Sequence, residues 1–293
     1  MTILDEVNAA QRTLISAGIR QNDATGDAEF LARHALGWDR STYFSRRQEP
    51  SPAEFKTDYE LLVLRRVQRE PVSAITGHRE FWGLSFEVSP DVLTPRPETE
   101  LVVEQSLRTF ENHPRAPIRI IDVGTGSGCL AIALAHEFPE SHIVGTDVSA
   151  EAIKVAKRNA DLYQLSRRIT WVQCSYLEGF APNHQAVSGI DLIVANLPYV
   201  PSAATQVLSP EVKDHDPLVA LDGGVDGLNP LRALMAAAPD HLISGGRLIV
   251  EFGAGQEDKV NALIAETPQL TLLQIVGDLS GIPRIASIKK SYD

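Results

Sequence analysis

The chain is poor in cysteine, in long apolar runs and in positive charge, and each shortage removes a class of function. Cys129 and Cys174 are the two cysteines in 293 residues, and they lack the paired spacing of a metal site. Both read as small core side chains rather than a redox pair, and no metal is expected. No apolar stretch approaches the ~18 residues of a membrane helix. Met1-Thr2-Ile3-Leu4-Asp5 also lacks a basic signal-peptide start, so a cytoplasmic protein with no membrane attachment is expected. The net charge is -11, whereas a protein gripping a nucleic-acid backbone usually shows a basic footprint. The pairs Arg46-Arg47, Arg65-Arg66 and Arg167-Arg168 read as solvated faces. Direct nucleic-acid binding is therefore not expected, and neither an internal repeat nor a low-complexity segment occurs.

What is present divides into three stretches. Residues 1–71 carry helical patterning. Apolar residues recur between Asp5 and Ile19, Ala28 to Leu36 stops at Gly37, and a third helix opens at Ser51-Pro52-Ala53-Glu54. There Ser51 is expected to cap, Pro52 to sit at the first helical position and Glu54 to complete a capping box. These stripes form a small helical core without reaction chemistry. Residues 72–97 read as a β-hairpin linker or lid. Phe81 to Val88 bends at Gly83, and two prolines then hold Arg96 in a narrow range of directions. Pro97 opens a helix to about Phe110. From Ile118 strands and helices alternate. Strands are expected at Ile118–Val123, His142–Asp147, Ile169–Gln173, Ile190–Ala195, Gly246–Phe252, Leu272–Val276 and Arg284–Lys289. Helices are expected at Ala131–Phe138, Ala150–Leu162 and Gln256–Ala265. Such alternation specifies a mostly parallel sheet with helices on both faces.

Two strand ends carry the chemistry. Ile120 to Val123 leads into Gly124-Thr125-Gly126-Ser127-Gly128, where glycines let the backbone approach a ligand. The helix that follows presents free N–H groups at its start. The next strand ends in Asp147, whose carboxylate can accept both hydroxyls of a ribose, or instead cap the helix after Ser149. NAD and S-adenosyl-L-methionine both fit a loop of this kind. The dinucleotide fingerprint is G-x-G-x-x-G. Here the third glycine comes one residue early, and Asp122 stands two residues before the first. Both differences favour S-adenosyl-L-methionine. Tyr176, after the third strand, is placed either to pack on adenine or to sit in the core.

Asn196-Leu197-Pro198-Tyr199 follows the fourth strand. The Asn196 side-chain carbonyl and the Leu197 backbone carbonyl can accept the two hydrogens of one NH₂ group. Pro198 holds Leu197 extended, and Tyr199 offers a flat face to a planar substrate. Two acceptors would aim the nitrogen at a methyl donor and favour positive charge developing on it. A plain strand-ending turn is the structural alternative, since Asn and Pro are common in turns.

The chain resembles the PrmC/HemK-type methyltransferases that modify peptide chain release factors. The likeness covers nearly the whole chain and is most specific at Gly77-His78-Arg79-Glu80-Phe81-Trp82-Gly83, Leu93-Thr94-Pro95-Arg96-Pro97-Glu98-Thr99-Glu100 and Asn196-Leu197-Pro198-Tyr199. It implies a small all-α N-terminal substrate-recognition domain. It implies a Rossmann-like seven-stranded class I methyltransferase domain over 98–293. It further implies N5-methylation of the glutamine in the Gly-Gly-Gln loop of class I release factors. By motif match Gly124, Thr125, Gly126, Ser127, Gly128, Asp147, Tyr176 and Asn196 would contact S-adenosyl-L-methionine or frame its pocket, and Asn196 through Tyr199 would hold the amide. The chain departs from the family pattern at Leu197, where a second proline is common, at Ser175, where an acid is common, and at Asp216, where Glu is usual. Three other functions share some of these features. A methyltransferase acting on an exocyclic base nitrogen of DNA or RNA could use the same acceptors. A non-catalytic release-factor binder is opposed by the intact loop, Asp147 and Asn196. A dehydrogenase is opposed by the glycine spacing.

Overall fold

The computed structural model describes residues 1–112, 117–178 and 189–291. The chain begins with helices α1 (Ile3–Ser16), α2 (Gln21–Leu36), α3 (Arg40–Arg46), α4 (Ala53–Val67) and α5 (Val72–Thr76). Strands β1 (His78–Phe81) and β2 (Leu84–Glu87), helix α6 (Glu100–Thr109), strand β3 (Arg119–Val123) and helix α7 (Cys129–Glu137) follow. Next come β4 (His142–Asp147), α8 (Ala150–Leu162), β5 (Ile169–Gln173), β6 (Ile190–Ala195) and the short α9 (Pro210–Lys213). The chain continues through α10 (Asn229–His241), β7 (Leu242–Glu251), α11 (Glu257–Ala265), β8 (Leu270–Gly277) and β9 (Pro283–Lys290). It divides into a helical unit, Met1–His78 with Ser209–His215, and a sheet unit, Arg79–Leu208 with Asp216–Asp293.

In the helical unit, Ile3, Val7, Leu14, Leu31, Tyr43, Phe55 and Tyr59 close on one core. The Tyr59 hydroxyl donates to the Ala28 carbonyl at 2.9 Å, which satisfies a phenol that burial would otherwise penalise. Helix α1 starts with a capping box between Thr2 and Asp5. Helix α2 starts seven residues before the expected Ala28. Its buried stripe is built on alanines, Ala24, Ala28 and Ala32, whose small side chains give a weak periodic signal. The expected Ser51 capping box is absent. Pro52 takes the cap position, the helix begins one residue later at Ala53, and the Ser51 hydroxyl has no partner. The returning segment carries Glu211. Arg69 grips it with Nε at 2.7 Å and Nη2 at 2.8 Å, and Arg66 adds a bond at 3.1 Å. Arg66 also donates to Asp27 at 2.7 Å.

The sheet unit holds a seven-stranded sheet in the order β5-β4-β3-β6-β7-β9-β8. The first five strands run parallel, and β9 pairs antiparallel with both β7 and β8. Pleating sends alternate residues to opposite faces. Ile121, Ile193 and Ala195 pack with Leu231, Leu234, Val260 and Leu263 of α10 and α11. Ile120, Leu192 and Val194 pack on the other face with Val102, Leu130, Leu134 and Ala160 of α6, α7 and α8. The chain winds outward from β3 to β5 and then restarts at β6 on the other side of β3. That reversal opens a crevice at the carboxyl ends of β3 and β6, where open α/β sheets bind ligands.

The stretch read as one linker falls into three parts. Helix α5 belongs to the helical unit. The hairpin turns on Trp82 and Gly83, at φ 53° and 70°, the paired left-handed conformations that tight hairpins need. Phe81 and Phe86 of this hairpin are buried in the sheet unit, and the Trp82 indole donates to Glu137 at 2.7 Å. The remainder, from Val88 to Pro97, runs on to one wall of the crevice.

Candidate active site

The glycine loop is fixed from behind. Asp122 is fully buried at the end of β3 and accepts from Thr125 Oγ1 at 2.5 Å and from the Ala131 N–H at 3.1 Å. Its other oxygen has no partner, and burial pushes this carboxyl up to about 7. The loop then turns through left-handed glycines. Gly124 stands at φ 73°, which favours glycine, and a Cβ there would lie 2.9 Å from Leu197 Cδ2, so the β3 and β6 loops touch at this point. Gly128 caps α7 and lies against Ala156 and Trp171.

Asp147, at the end of β4, accepts from the Gly126 N–H and the Ser149 N–H, each at 2.9 Å. Burial raises its carboxyl, against the pull of these backbone donors. Ser149 itself caps α8 through Ala152. Asp147 is therefore a loop clasp rather than the helix cap. The Val148 N–H also pulls on the carboxylate, and with about four lone-pair sites on two oxygens the group still has an acceptor site for a ligand. Tyr176 stands at φ 50°, which is rare for an aromatic residue. Thr146 Oγ1 donates to its carbonyl at 3.2 Å. Such a conformation costs on the order of 1–3 kcal/mol and persists where its surroundings impose it.

At the end of β6, Asn196 Nδ2 donates to Thr99 Oγ1 at 2.9 Å. Thr99 Oγ1 in turn donates to Glu251 Oε2 at 2.6 Å, and the Tyr199 hydroxyl donates to Glu251 Oε1 at 3.2 Å. Gln256 bridges the Tyr199 carbonyl and the Gly253 N–H. Tyr199 is thus held by its hydroxyl and its carbonyl, and it is not among the residues lining the cavity. The flat face expected toward a substrate is therefore not presented to the cavity, and the ring lies beside Gly253.

A cavity of about 610 Å³ joins these groups, within the usual range for small-molecule sites. Gly124, Thr125, Gly126, Ser127, Asp147, Tyr176, Asn196, Leu197 and Pro198 line it, whereas Gly128 and Tyr199 do not. Asp91, Val92, Leu93, Pro95 and Arg96 form one wall, and Leu218 to Ala220 with Asp222 form another. Asp216 is buried and ties the two walls together, pairing with Arg96 and accepting from the Thr94 N–H at 3.2 Å. Cys129 and Cys174 also line the cavity and are only partly buried, unlike the core residues expected. Burial pushes the Cys129 thiol up to about 12, which keeps it protonated. Among the described residues the lining carries three carboxylates, Asp91, Asp147 and Asp222, against the single guanidinium of Arg96. Such a lining favours a cationic ligand. Gly126 leaves open space beside it, and Asp147 stands against the same loop through its bond to the Gly126 N–H. These residues fit a nucleoside cofactor with a positive centre. No group of three or more metal-ligating side chains occurs among the described residues.

Comparison with known proteins gives the family. The PrmC N-terminal domain model matches residues 7–77. The release factor glutamine methyltransferase of Bradyrhizobium diazoefficiens is 41% identical over 289 residues, covering 97% of this chain and 95% of its own. The chain belongs to the release factor glutamine methyltransferase family. The family member from Cereibacter sphaeroides is 37% identical and covers 99% of both chains. A model for Ribosomal protein L11 methyltransferase (PrmA) matches residues 99–204. That span holds β3 to β6 and the glycine loop but neither the helical unit nor Glu251, so it describes the methyltransferase core that this glutamine methyltransferase shares. Among solved structures, the hMettl16 catalytic domain in complex with MAT2A 3′UTR hairpin 1 aligns with a TM-score of 0.57 at 16% identity, over 90% of this chain and 91% of that one. That likeness is one of fold.

Proposed function

We propose that this enzyme transfers the methyl group of S-adenosyl-L-methionine to the side-chain amide nitrogen of the glutamine in the Gly-Gly-Gln motif of class I release factors. The observation that carries the reading is the Asn196 side chain, tied through its Nδ2 to Thr99 on the wall of the cavity that the glycine loop and Asp147 also line. With Nδ2 so engaged, the Asn196 carbonyl is left for a donor from the substrate.

The cofactor supplies an electrophilic methyl on a sulfonium. The protein's task is to hold and polarise a poor nucleophile, since an amide nitrogen shares its lone pair with its carbonyl. Asn196 Oδ1 accepts one N–H of the glutamine amide and the Leu197 carbonyl accepts the other. Pro198 keeps Leu197 extended. The two acceptors fix the nitrogen's direction and favour positive charge as it develops there. Asp147 takes the ribose hydroxyls, Gly124 to Ser127 let the backbone approach, and Tyr176 packs on the adenine. The helical unit serves recognition of the protein substrate. It has a closed core of its own, and none of its residues lines the cavity. Removing residues 1–70 is expected to harm methylation of a whole release factor more than that of a short glutamine peptide.

The test is incubation with labelled S-adenosyl-L-methionine and a class I release factor, followed by peptide mass mapping. Label on the Gly-Gly-Gln glutamine is expected. Label appearing only on nucleic acid would replace this reading with methylation of a base nitrogen, which the acidic lining disfavours.

A further inference from the structure

We propose that Thr99 and Glu251 are positioning residues that determine which way round the Asn196 amide sits, with ionised Glu251 selecting the orientation that accepts from the substrate. The inference rests on the reading of Asn196 as an acceptor for the glutamine amide. It adds two residues that lie 97 and 55 positions away from Asn196 in the sequence.

The argument follows the direction of each hydrogen bond. A carboxylate only accepts, whereas a hydroxyl has one hydrogen to give. With Glu251 ionised, the Thr99 hydrogen must point to Oε2, across 2.6 Å. Only a Thr99 lone pair then faces Asn196, so the Asn196 NH₂ must turn to Thr99 and the carbonyl to the cavity. Tyr199 closes the other side by donating to Oε1. Protonated at Oε2, Glu251 becomes a donor to Thr99. The Thr99 hydrogen then swings to Asn196, the amide turns over, and an NH₂ group faces the substrate's own NH₂. Two donors meet, and the clamp is lost. Chains of hydrogen bonds in a dry interior transmit such reversals because each member has few alternatives.

Glu251 is 3% exposed. Burial pushes its carboxyl up to about 7, Glu98 adds repulsion, and the bonds from Thr99 and Tyr199 with the nearby Arg284 act in the other direction. Cys129 also faces it, with a thiol that stays neutral. A carboxyl raised in this way changes charge as pH moves through neutrality.

The experiment is steady-state methylation of a release factor between about pH 6 and 9, with cofactor affinity measured by calorimetry on every variant to show that the site is intact. The wild-type kcat is expected to rise with pH to a plateau, with an inflection near the Glu251 titration at about 7. Glu251→Gln should abolish that inflection. Thr99→Val should lower kcat about 30-fold, the size of one lost charge-linked hydrogen bond, with a far smaller change in KM for the release factor. Thr99→Ser keeps the hydroxyl and should restore the rate. A wild-type inflection that persists unchanged in Glu251→Gln overturns the proposal, as does a Thr99→Val kcat within about twofold of wild type. Asn196→Ala separates the two levels. If that variant is inactive while Thr99→Val is normal, the relay fails and the acceptor reading stands. If Asn196→Ala is fully active, both fail.

Discussion

Glu211 in the helical unit and Glu251 in the sheet unit have both lost most of their contact with water, and their carboxyls move in opposite directions. Burial would raise Glu211, but bonds from Arg69 and Arg66 outweigh it and hold the group at about 2. Glu251 meets a hydroxyl and a phenol instead, and burial takes it up to about 7. Guanidinium partners keep a carboxylate charged at any ordinary pH, which suits a strut. Hydroxyl partners leave the charge balanced and let the acid act on its neighbours. Asp147 lies between these cases, held by the backbone N–H groups of Gly126, Val148 and Ser149. Donors and depth both differ: Glu211 keeps 18% of its side chain exposed and is gripped by guanidinium groups, whereas Glu251 is 3% exposed and meets a hydroxyl and a phenol.

The largest expected effect is at the working end. Asn196→Ala should lower kcat on the order of 100-fold or more, as does loss of a preorganised transition-state contact elsewhere, with the fold unchanged by circular dichroism. Near-normal turnover would leave the Glu251 network without a purpose in catalysis. Next comes Asp147→Ala. Losing a charged hydrogen bond should weaken cofactor binding by about 1.5–3 kcal/mol, with less harm to turnover at saturating cofactor. Calorimetry showing unchanged affinity would class Asp147 with Glu211, as a clasp alone.

The strut itself is tested by Glu211→Gln. It should destabilise the helical unit by about 2 kcal/mol, read from urea melts. A lowered folded-state titration means stability that is present above the ordinary carboxyl range and lost as pH falls toward the folded value. The gap between wild type and Glu211→Gln should therefore close between pH 4.5 and about 2. Glu251 has the reverse sign. Its raised titration gives stability that is fully present below 4.5 and lost as pH rises through about 7. Melting temperatures across that window should fall less in Glu251→Gln than in wild type. The smallest expected effect is at Leu197→Pro, which keeps the carbonyl and the extended backbone. Activity within about threefold of wild type is expected, less whatever the lost packing on Gly124 costs. A dead but folded variant would assign the Leu197 side chain or N–H a role of its own.

Much of this was legible in the sequence because neighbouring residues carried it. Strands β3, β4 and β6 are short apolar runs ending in a glycine loop, an acid and Asn-Leu-Pro-Tyr, and local pattern suffices to place them. The inward turn of Tyr199 was not legible, since its hydroxyl partner Glu251 lies 52 residues away. Thr99 was visible as part of a proline-bounded motif, but its bond to Asn196 spans 97 positions. Helices α3 and α5 are too short for periodicity to register. Ser51 failed as a cap because one residue of register decides whether a side chain reaches the first free N–H groups. The membership of Ser209 to His215 in the helical unit depends on pairings across more than 140 residues.

That long pairing bears on how the protein is made. A ribosome delivers chain at about 5–20 residues per second, so Glu211 emerges roughly 7–28 seconds after Arg69, which it follows by 142 residues. Arg66 has Asp27 from the start, and Arg69 can reach the Gly18 carbonyl at 3.4 Å, but the ion pair of Arg69 must wait. The first unit to begin leaving the ribosome is therefore not complete until a seven-residue segment, Ser209–His215, has followed about 130 residues of the other unit. Nascent chains cut short before Ser209 would carry the complete N-terminal helices and still lack Glu211, the acid that joins Arg66 and Arg69.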